Sequence, residues 1–219
     1  MIKILFLFTL VFLQGCFPLS FYKSIYDASN NESISNSLEI TAAIKNLPFA
    51  IQILQHQNVT SLLVLGYDDE NRLSFIDGDE NIFTFFHGKV IDSTNLDNNI
   101  EIKNPPNLKN VFLNLLNSKE ALLKHESLIR FSNPKTSYLS LKTEYLLLAE
   151  PNKLFRRMID GEELAYFILE EKFEVSEILW NGKNTYWFSK DGDILKSKQM
   201  IFPDKPKYFF ETLKMYVKN

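Results

Sequence analysis

Arg72 to Asp92 reads RLSFIDGDENIFTFFHGKVID. Three short runs rich in aliphatic and aromatic residues, RLSFI, IFTFF and KVID, are separated by Asp77-Gly78 and His87-Gly88. Glycine accepts a positive φ without steric cost, so each separator reads as a hairpin turn. Upstream stand FAIQILQ (residues 49–55) and SLLVLGY (residues 61–67). The second is nearly continuous, as in a strand buried on both faces. Together these runs predict an antiparallel meander of four or five strands.

Asn104-Pro105-Pro106-Asn107 breaks the sheet. Leu108, Val111, Phe112, Leu115 and Leu116 then recur at i, i+3, i+4, i+7 and i+8, which predicts an amphipathic helix covering the sheet. Strand patterns return in SLIRF, TSYLSLKTEYLLLA, LAYFILEEKFEVSEILW, NTYWFS, DILKSKQMIF and YFFETLKMYVK. Asp160-Gly161 and Asp191-Gly192 supply two more hairpin signals. The fold class is therefore mainly β and antiparallel. It is one large bent sheet with a few short helices packed on one side, or a two-sheet sandwich. The pattern leaves both open.

The N-terminus has a different grammar. Lys3 is the only charge before Lys23, and Ile4 to Leu13 is an apolar run of ten residues broken only by Thr9. That is half of what a membrane-spanning helix needs (~20 residues) and suits the apolar region of a secretory signal. Leu13-Gln14-Gly15-Cys16 closes it, and Cys16 is the chain's single cysteine. This arrangement resembles the bacterial lipobox. The resemblance implies cleavage before Cys16, diacylglycerol on its thiol and an acyl group on its new amino end. Several acyl chains give stable anchoring where one is marginal. The expected organisation is a signal peptide over residues 1–15, a lipidated N-terminus and tether over 16–38, and a single periplasmic domain over 39–219. The tether carries a short helix at residues 22–28, and a second helix is expected over residues 41–46. Phe17, not Asp, follows the cysteine, which favours the outer membrane over the inner.

The 219 residues carry 24 basic and 27 acidic side chains, a formal net charge of −3. No basic footprint for nucleic acid follows from that balance. His56, His87 and His125 stand far apart in the sequence and make no zinc spacing. No nucleophile elbow or phosphate loop is present. Asp77-Gly78-Asp79 puts glycine where a calcium loop does not want it. The reading is a non-enzyme without metal or cofactor.

Both tryptophans fall in Trp180 to Gln199, WNGKNTYWFSKDGDILKSKQ. Adjacent Tyr186 and Trp187 face opposite sides of a strand, one inward and one outward. An aromatic face beside Asn, Ser, Lys and Gln suits stacking on a sugar ring. Aromatic residues also commonly fill sheets. The candidate interaction surface is Trp180, Asn184, Tyr186, Trp187, Lys196, Ser197, Lys198 and Gln199.

This stretch resembles the C-terminal signature of the YjbF/GfcB family of capsule and exopolysaccharide secretion lipoproteins. The matching residues are Asn184, Tyr186, Trp187, Gly192, Lys196-Ser197-Lys198-Gln199 and Pro203. A second block agrees: Ile44, Leu47-Pro48-Phe49-Ala50, Leu63-Val64-Leu65-Gly66, and Gly88 before Val90. Phe75 stands where the family usually has tryptophan, and the basic pair is lysine rather than arginine. The resemblance implies an accessory lipoprotein of the outer membrane. It would work beside a secretion barrel and a periplasmic partner, or hold polysaccharide directly. The alternative is a lipid- or lipoprotein-binding envelope module.

Overall fold

Buried and exposed positions alternate along most strands, and the buried set points to a common interior. The computed structural model describes residue 44 and residues 49–118, 122–148, 154–156 and 163–215. The first half holds β1 (Ile51–His56), β2 (Val59–Asp69), β3 (Arg72–Ile76), β4 (Ile82–Phe86), β5 (Lys89–Thr94), β6 (Ile100–Lys103) and helix α1 (Leu108–Asn117). The second holds β7 (Leu123–Phe131), β8 (Leu139–Leu148), β9 (Leu154–Arg156), β10 (Glu163–Ala165), β11 (Phe167–Val175), β12 (Trp180–Phe188), β13 (Ile194–Gln199) and β14 (Tyr208–Lys214).

Twelve of these strands form one closed barrel, and β9 and β10 form a separate two-stranded ladder in the excursion between β8 and β11. Closure is made at β1. Ile53 pairs with Leu62 of β2 on one side and with Glu211 of β14 on the other. The domain is mainly β and antiparallel, as the sequence predicts, but it is neither an open sheet nor a sandwich. Closure removes both edge strands, which would otherwise expose unpaired N–H and C=O groups. Register shifts between Leu65 and Tyr67, Thr84 and Phe85, and Trp187 and Phe188 bend the wall. Gly66 sits at the first of these, where an added Cβ would come within 2.6 Å of Ile76 Cδ1.

The abundant phenylalanine fills the interior. Phe85 meets Phe75 and Phe210 edge to face, at 5.6 and 5.0 Å between centroids. The helix corrects a second expectation: α1 does not lie on one side of a sheet but across one end of the barrel. The side chain of Asn107 accepts from the backbone N–H of Asn110 and starts the helix. Leu108, Phe112 and Leu115 are then buried against inward-facing Tyr145, Leu169, Tyr186 and Phe188.

Charges stand on the outer wall, with pairs such as Lys124–Glu144 and Lys183–Glu170, both at 2.7 Å. An apolar inside and charged outside is the reverse of a membrane-spanning barrel. No described helix is long and apolar enough to cross a membrane. Outside the wall, Ile51, Ile53 and Leu213 pack with Ile44, which is helical and buried. Cys16, the tether with its short helix and the Asp160-Gly161 turn lie outside the described residues.

On the same wall Asp92 of β5 pairs across to Glu101 of β6. Burial, then the Glu101 charge, pushes the Asp92 carboxyl up to about 6. Its folded value exceeds the unfolded one, so the folded state holds the proton more tightly. Stability is therefore lost as pH rises through about 6 and is retained in full below the unfolded value. Asp92→Asn is expected to stabilise the protein at pH 7.5 by about 1 kcal/mol, after discounting for solvent screening, and to do little at pH 4. Urea titrations at the two pH values check this. An equal gain at both would exclude the Asp92 charge as the cause.

Candidate functional site

Glu171 sits in the middle of the barrel, on an inward position of β11, and is fully buried. It pairs across to Tyr145 of β8 and to Asn184 of β12. Four donors converge on its carboxylate. Oε1 accepts from Lys89 Nζ and from the Tyr145 hydroxyl at 2.9 Å. Oε2 accepts from Asn184 Nδ2 at 2.9 Å and from the Tyr186 hydroxyl at 2.7 Å. Lys89 reaches in from the start of β5, so the ion pair ties one wall of the barrel to another.

A second polar cluster lies beside it. Gln199 donates to Ser197 Oγ and to the Gly88 carbonyl, both at 2.9 Å, and its Oε1 accepts from the Val90 N–H at 3.0 Å. Gly88 adopts φ +84°, and an added Cβ would overlap Ile194 Cδ1 at 1.9 Å. A side chain at Gly88 would be strained by that φ and would have to displace Ile194.

Protonation follows from this geometry. Burial pushes the Glu171 carboxyl up, but the Lys89 charge and the hydrogen bonds from Lys89, Tyr186 and Asn184 outweigh it and hold the group below the ordinary range. Burial and the Glu171 charge push both Tyr145 and Tyr186 up. Carboxylate and phenols are thus fixed as acceptor and donors at neutral pH. With four donors on two oxygens and no exposure, Glu171 has little to offer a substrate. The network is a brace.

Space exists at the barrel mouth instead. Helix α1 covers the side formed by β8, β11 and β12. Over the remaining side lies a cavity of about 390 Å³, bordered by Gln52, Leu73, Phe75, Phe85, Phe210 and Thr212 among others.

The eight candidate surface residues do not form one surface. Trp180, Asn184, Tyr186, Ser197 and Gln199 are buried inside. Trp187, Lys196 and Lys198 lie on the opposite face of the same strands. Tyr186 and Trp187 do face opposite ways, with Tyr186 inward. Lys196 Nζ lies 5.0 Å from the centre of the Trp187 ring and 5.9 Å from that of Tyr166, which makes a cationic aromatic ridge outside. The histidines are placed apart: His56 stacks on Tyr208 at 3.9 Å, His87 bonds Asn107, and His125 bonds the Asn104 carbonyl. Asp77 spends its carboxylate on its own turn, accepting from the N–H groups of Asp79 and Asn81. Among the described residues no group of three or more acidic, histidine or cysteine side chains gathers as a metal site.

Sequence reasoning missed Lys89, Tyr145, Glu171 and the mouth cavity. Glu171 carried a signal: Phe167, Leu169, Phe173 and Val175 share its parity, so it is the lone charge in an apolar inward series.

Fold and site together define an up-and-down antiparallel barrel, charged outside, braced by a buried ion pair and half-covered at one mouth. The chain belongs to the YjbF family. The family described as "Group 4 capsule polysaccharide lipoprotein gfcB, YjbF" matches residues 27–213. Among solved structures the chain is similar to the crystal structure of the hypothetical lipoprotein YmcC from Escherichia coli (K12). The TM-score is 0.67 at 16% identity, covering 93% of this chain and 100% of that one, which is a likeness of fold. No curated protein matches the chain. Asn184, Tyr186, Ser197, Gln199, Gly88 and Val90, which carry the family resemblance, all take part in the two buried polar clusters.

Proposed function

We propose that this protein is an outer-membrane-anchored periplasmic lipoprotein that assists capsule or exopolysaccharide secretion without catalysing a reaction. The observation that carries the reading is the family match across residues 27–213. The Leu13-Gln14-Gly15-Cys16 sequence supports the anchor, and residues 16–38 serve as the spacer that lets the barrel stand clear of the lipid. Contact is with a secretion barrel and its periplasmic partner, or with the glycan. The ridge of Trp187, Lys196 and Tyr166 is the outer surface best suited to it, because a desolvated cation on aromatic faces is a strong anchor.

The test is surface and secreted polysaccharide in wild type, a deletion strain, Cys16→Ser and Trp187→Ala/Lys196→Glu. Polymer is expected to fall in all three altered strains while the ridge variant still folds. Unchanged polymer in the deletion strain would remove the secretion role. Unchanged polymer in the ridge variant alone would remove only the ridge.

A second reading, a lipid-binding envelope module, draws on the apolar floor of the mouth cavity. Native mass spectrometry on protein lacking its own lipid decides it. Bound lipid supports that reading, and an empty chain counts against it.

A further inference from the structure

Lysines gather on one part of the outer wall. Lys172 of β11 pairs directly across to Lys183 of β12. Thr185 of β12 pairs with Lys198 of β13, and Lys198 pairs with Phe209 of β14. Lys183 and Lys207, two residues from Thr185 and Phe209, therefore each stand diagonal to Lys198 on the outward face. Like charges so placed repel. Burial first, then the Lys198 and Lys183 charges, hold the Lys207 ammonium below the ordinary lysine range, against the pull of Glu170. The chain as a whole carries −3, so this positive concentration is local.

The neighbouring acids do not cancel it. Glu170 is held by Lys183 at 2.7 Å, Glu144 by Lys124 at 2.7 Å, and Glu174 accepts from the Ser176 hydroxyl at 2.7 Å. Lys172 and Lys198 are exposed and make no ion pair among the described residues. Lys207 donates to a neutral group, the Lys183 carbonyl, at 2.5 Å. Positive charge is thus spread over strands roughly 5 Å apart. Two half-buried aromatic rings share the face, Phe209 opposite Lys198 and Trp187 opposite Lys196.

An ammonium beside a flat apolar ring suits a sugar that bears an acid: the C–H face of the sugar stacks and its anion meets the lysine. Lysine is a point charge on a flexible stem, so it follows a polymer of varied geometry where arginine imposes a fixed fork. A bilayer of anionic lipid also supplies charge, but a convex barrel wall meets a plane along a line, whereas a flexible chain follows the curve. We propose that the outer wall of β11 to β14 is a docking track for an anionic polysaccharide, with Lys172, Lys198 and Lys207 meeting its acid groups and Phe209 and Trp187 its ring faces. The choice of a polysaccharide rests on the secretion reading above, whereas the anionic character rests on the lysines. Each exposed contact is weak alone and screened by salt, and a polymer gains by making several at once.

The test uses the chain from residue 16 to residue 219 with Cys16→Ser. Calorimetric titrations employ polygalacturonate (a carboxylate on every sugar), dextran (an uncharged glucose polymer) and phosphatidylglycerol vesicles. Polygalacturonate is expected to bind at ~0.02 M salt and at least about tenfold more weakly at ~0.5 M, with dextran at least about tenfold weaker at low salt. Lys172→Gln/Lys198→Gln should weaken polygalacturonate about tenfold. Lys103→Gln/Lys135→Gln removes the same charge from exposed sites on β6 and after β7, and should change binding less than about twofold. Amide shifts in the wild-type chain should gather at Lys172, Lys198 and Phe209 and spare Lys103, a map that decides the matter if the first double variant does not fold. No binding of polygalacturonate at low salt, equal binding of dextran, or equal loss in the two double variants would each overturn the proposal. So would vesicles that bind as tightly as the polymer and depend equally on Lys172 and Lys198, because the track would then belong to a lipid surface. Calorimetry tests the track and polymer output tests the secretion role, so either can fail alone.

Discussion

Lys89→Met is expected to lower folding stability by about 3–5 kcal/mol, because it strands the Glu171 carboxylate in the middle of the barrel without its counter-charge. Total stability of a domain is about 5–15 kcal/mol, so the variant should sit near the edge of folding at body temperature. The ion pair itself is not a large source of stability, since burying both charges costs much of what their attraction returns. The cost appears when one partner leaves. Hence the double variant Lys89→Met/Glu171→Gln should recover at least half of the loss, because the neutral amide still meets Tyr145, Tyr186 and Asn184. pH gives a second handle. In the wild-type chain Glu171 stands below the ordinary carboxylate range, so its contribution holds above the unfolded value near pH 4 and falls away as pH drops through the folded one. Without Lys89, burial dominates and raises the carboxyl instead. The deficit of the single variant should therefore shrink between pH 7 and pH 5. Urea unfolding of both variants across that range is the measurement. A loss under about 1 kcal/mol would mean that water reaches Glu171.

Much of the fold is legible because a half-buried strand writes its two faces at alternate residues. RLSFI, IFTFF and KVID fall within or nearly match β3, β4 and β5, and the Asp191-Gly192 turn stands between β12 and β13 with Gly192 at φ +81°. Closure is not legible. An open sheet, a sandwich and a barrel share the same alternation, and what separates them here is the pairing of Ile53 with Glu211, far along the chain. One turn also works differently from its glycine signal: Glu80, at φ +64°, takes the left-handed position, because Asp77 organises the loop by accepting from the N–H groups that follow. The amphipathic stripe of α1 announces a buried face but not which surface buries it. The same limit applies to the site. WNGKNTYWFSKDGDILKSKQ reads as one cluster in sequence, yet the pleat sends Asn184 and Tyr186 inside and Trp187 outside. Lys89 and Glu171 lie 82 residues apart, and no local pattern joins them.

Phe112→Ala carries the other large expected effect, because this ring closes the covered half of the mouth. Phe112 is fully buried, stacks on Phe188 at 4.6 Å with the planes 2° apart, and meets Phe167 edge on at 5.5 Å. Deleting a buried phenylalanine side chain costs about 3–5 kcal/mol, the upper part applying where neighbours cannot collapse into the space. Here the neighbours sit on β11 and β12, whose positions the barrel hydrogen bonds fix, so little collapse is expected and the upper part applies. Leu115→Ala, at the same interface, should cost about 2–5 kcal/mol. Both should lower the urea midpoint with little change in slope, since the surface exposed on unfolding hardly alters. Hydrogen exchange then separates two ways of losing that energy. If α1 is part of the cooperative barrel, its amides and those of β11 lose protection together. If α1 is a cover that lifts by itself, its own amides exchange early in the wild-type chain, and Phe112→Ala costs under about 1 kcal/mol globally. The side chains favour the cooperative case. The helix buries Leu108, Phe112 and Leu115 against Tyr145 and Tyr186, and those two phenols donate to Glu171. Loosening the helix therefore reaches the ion pair in one step, and the covered half of the mouth is as rigid as the brace beneath it.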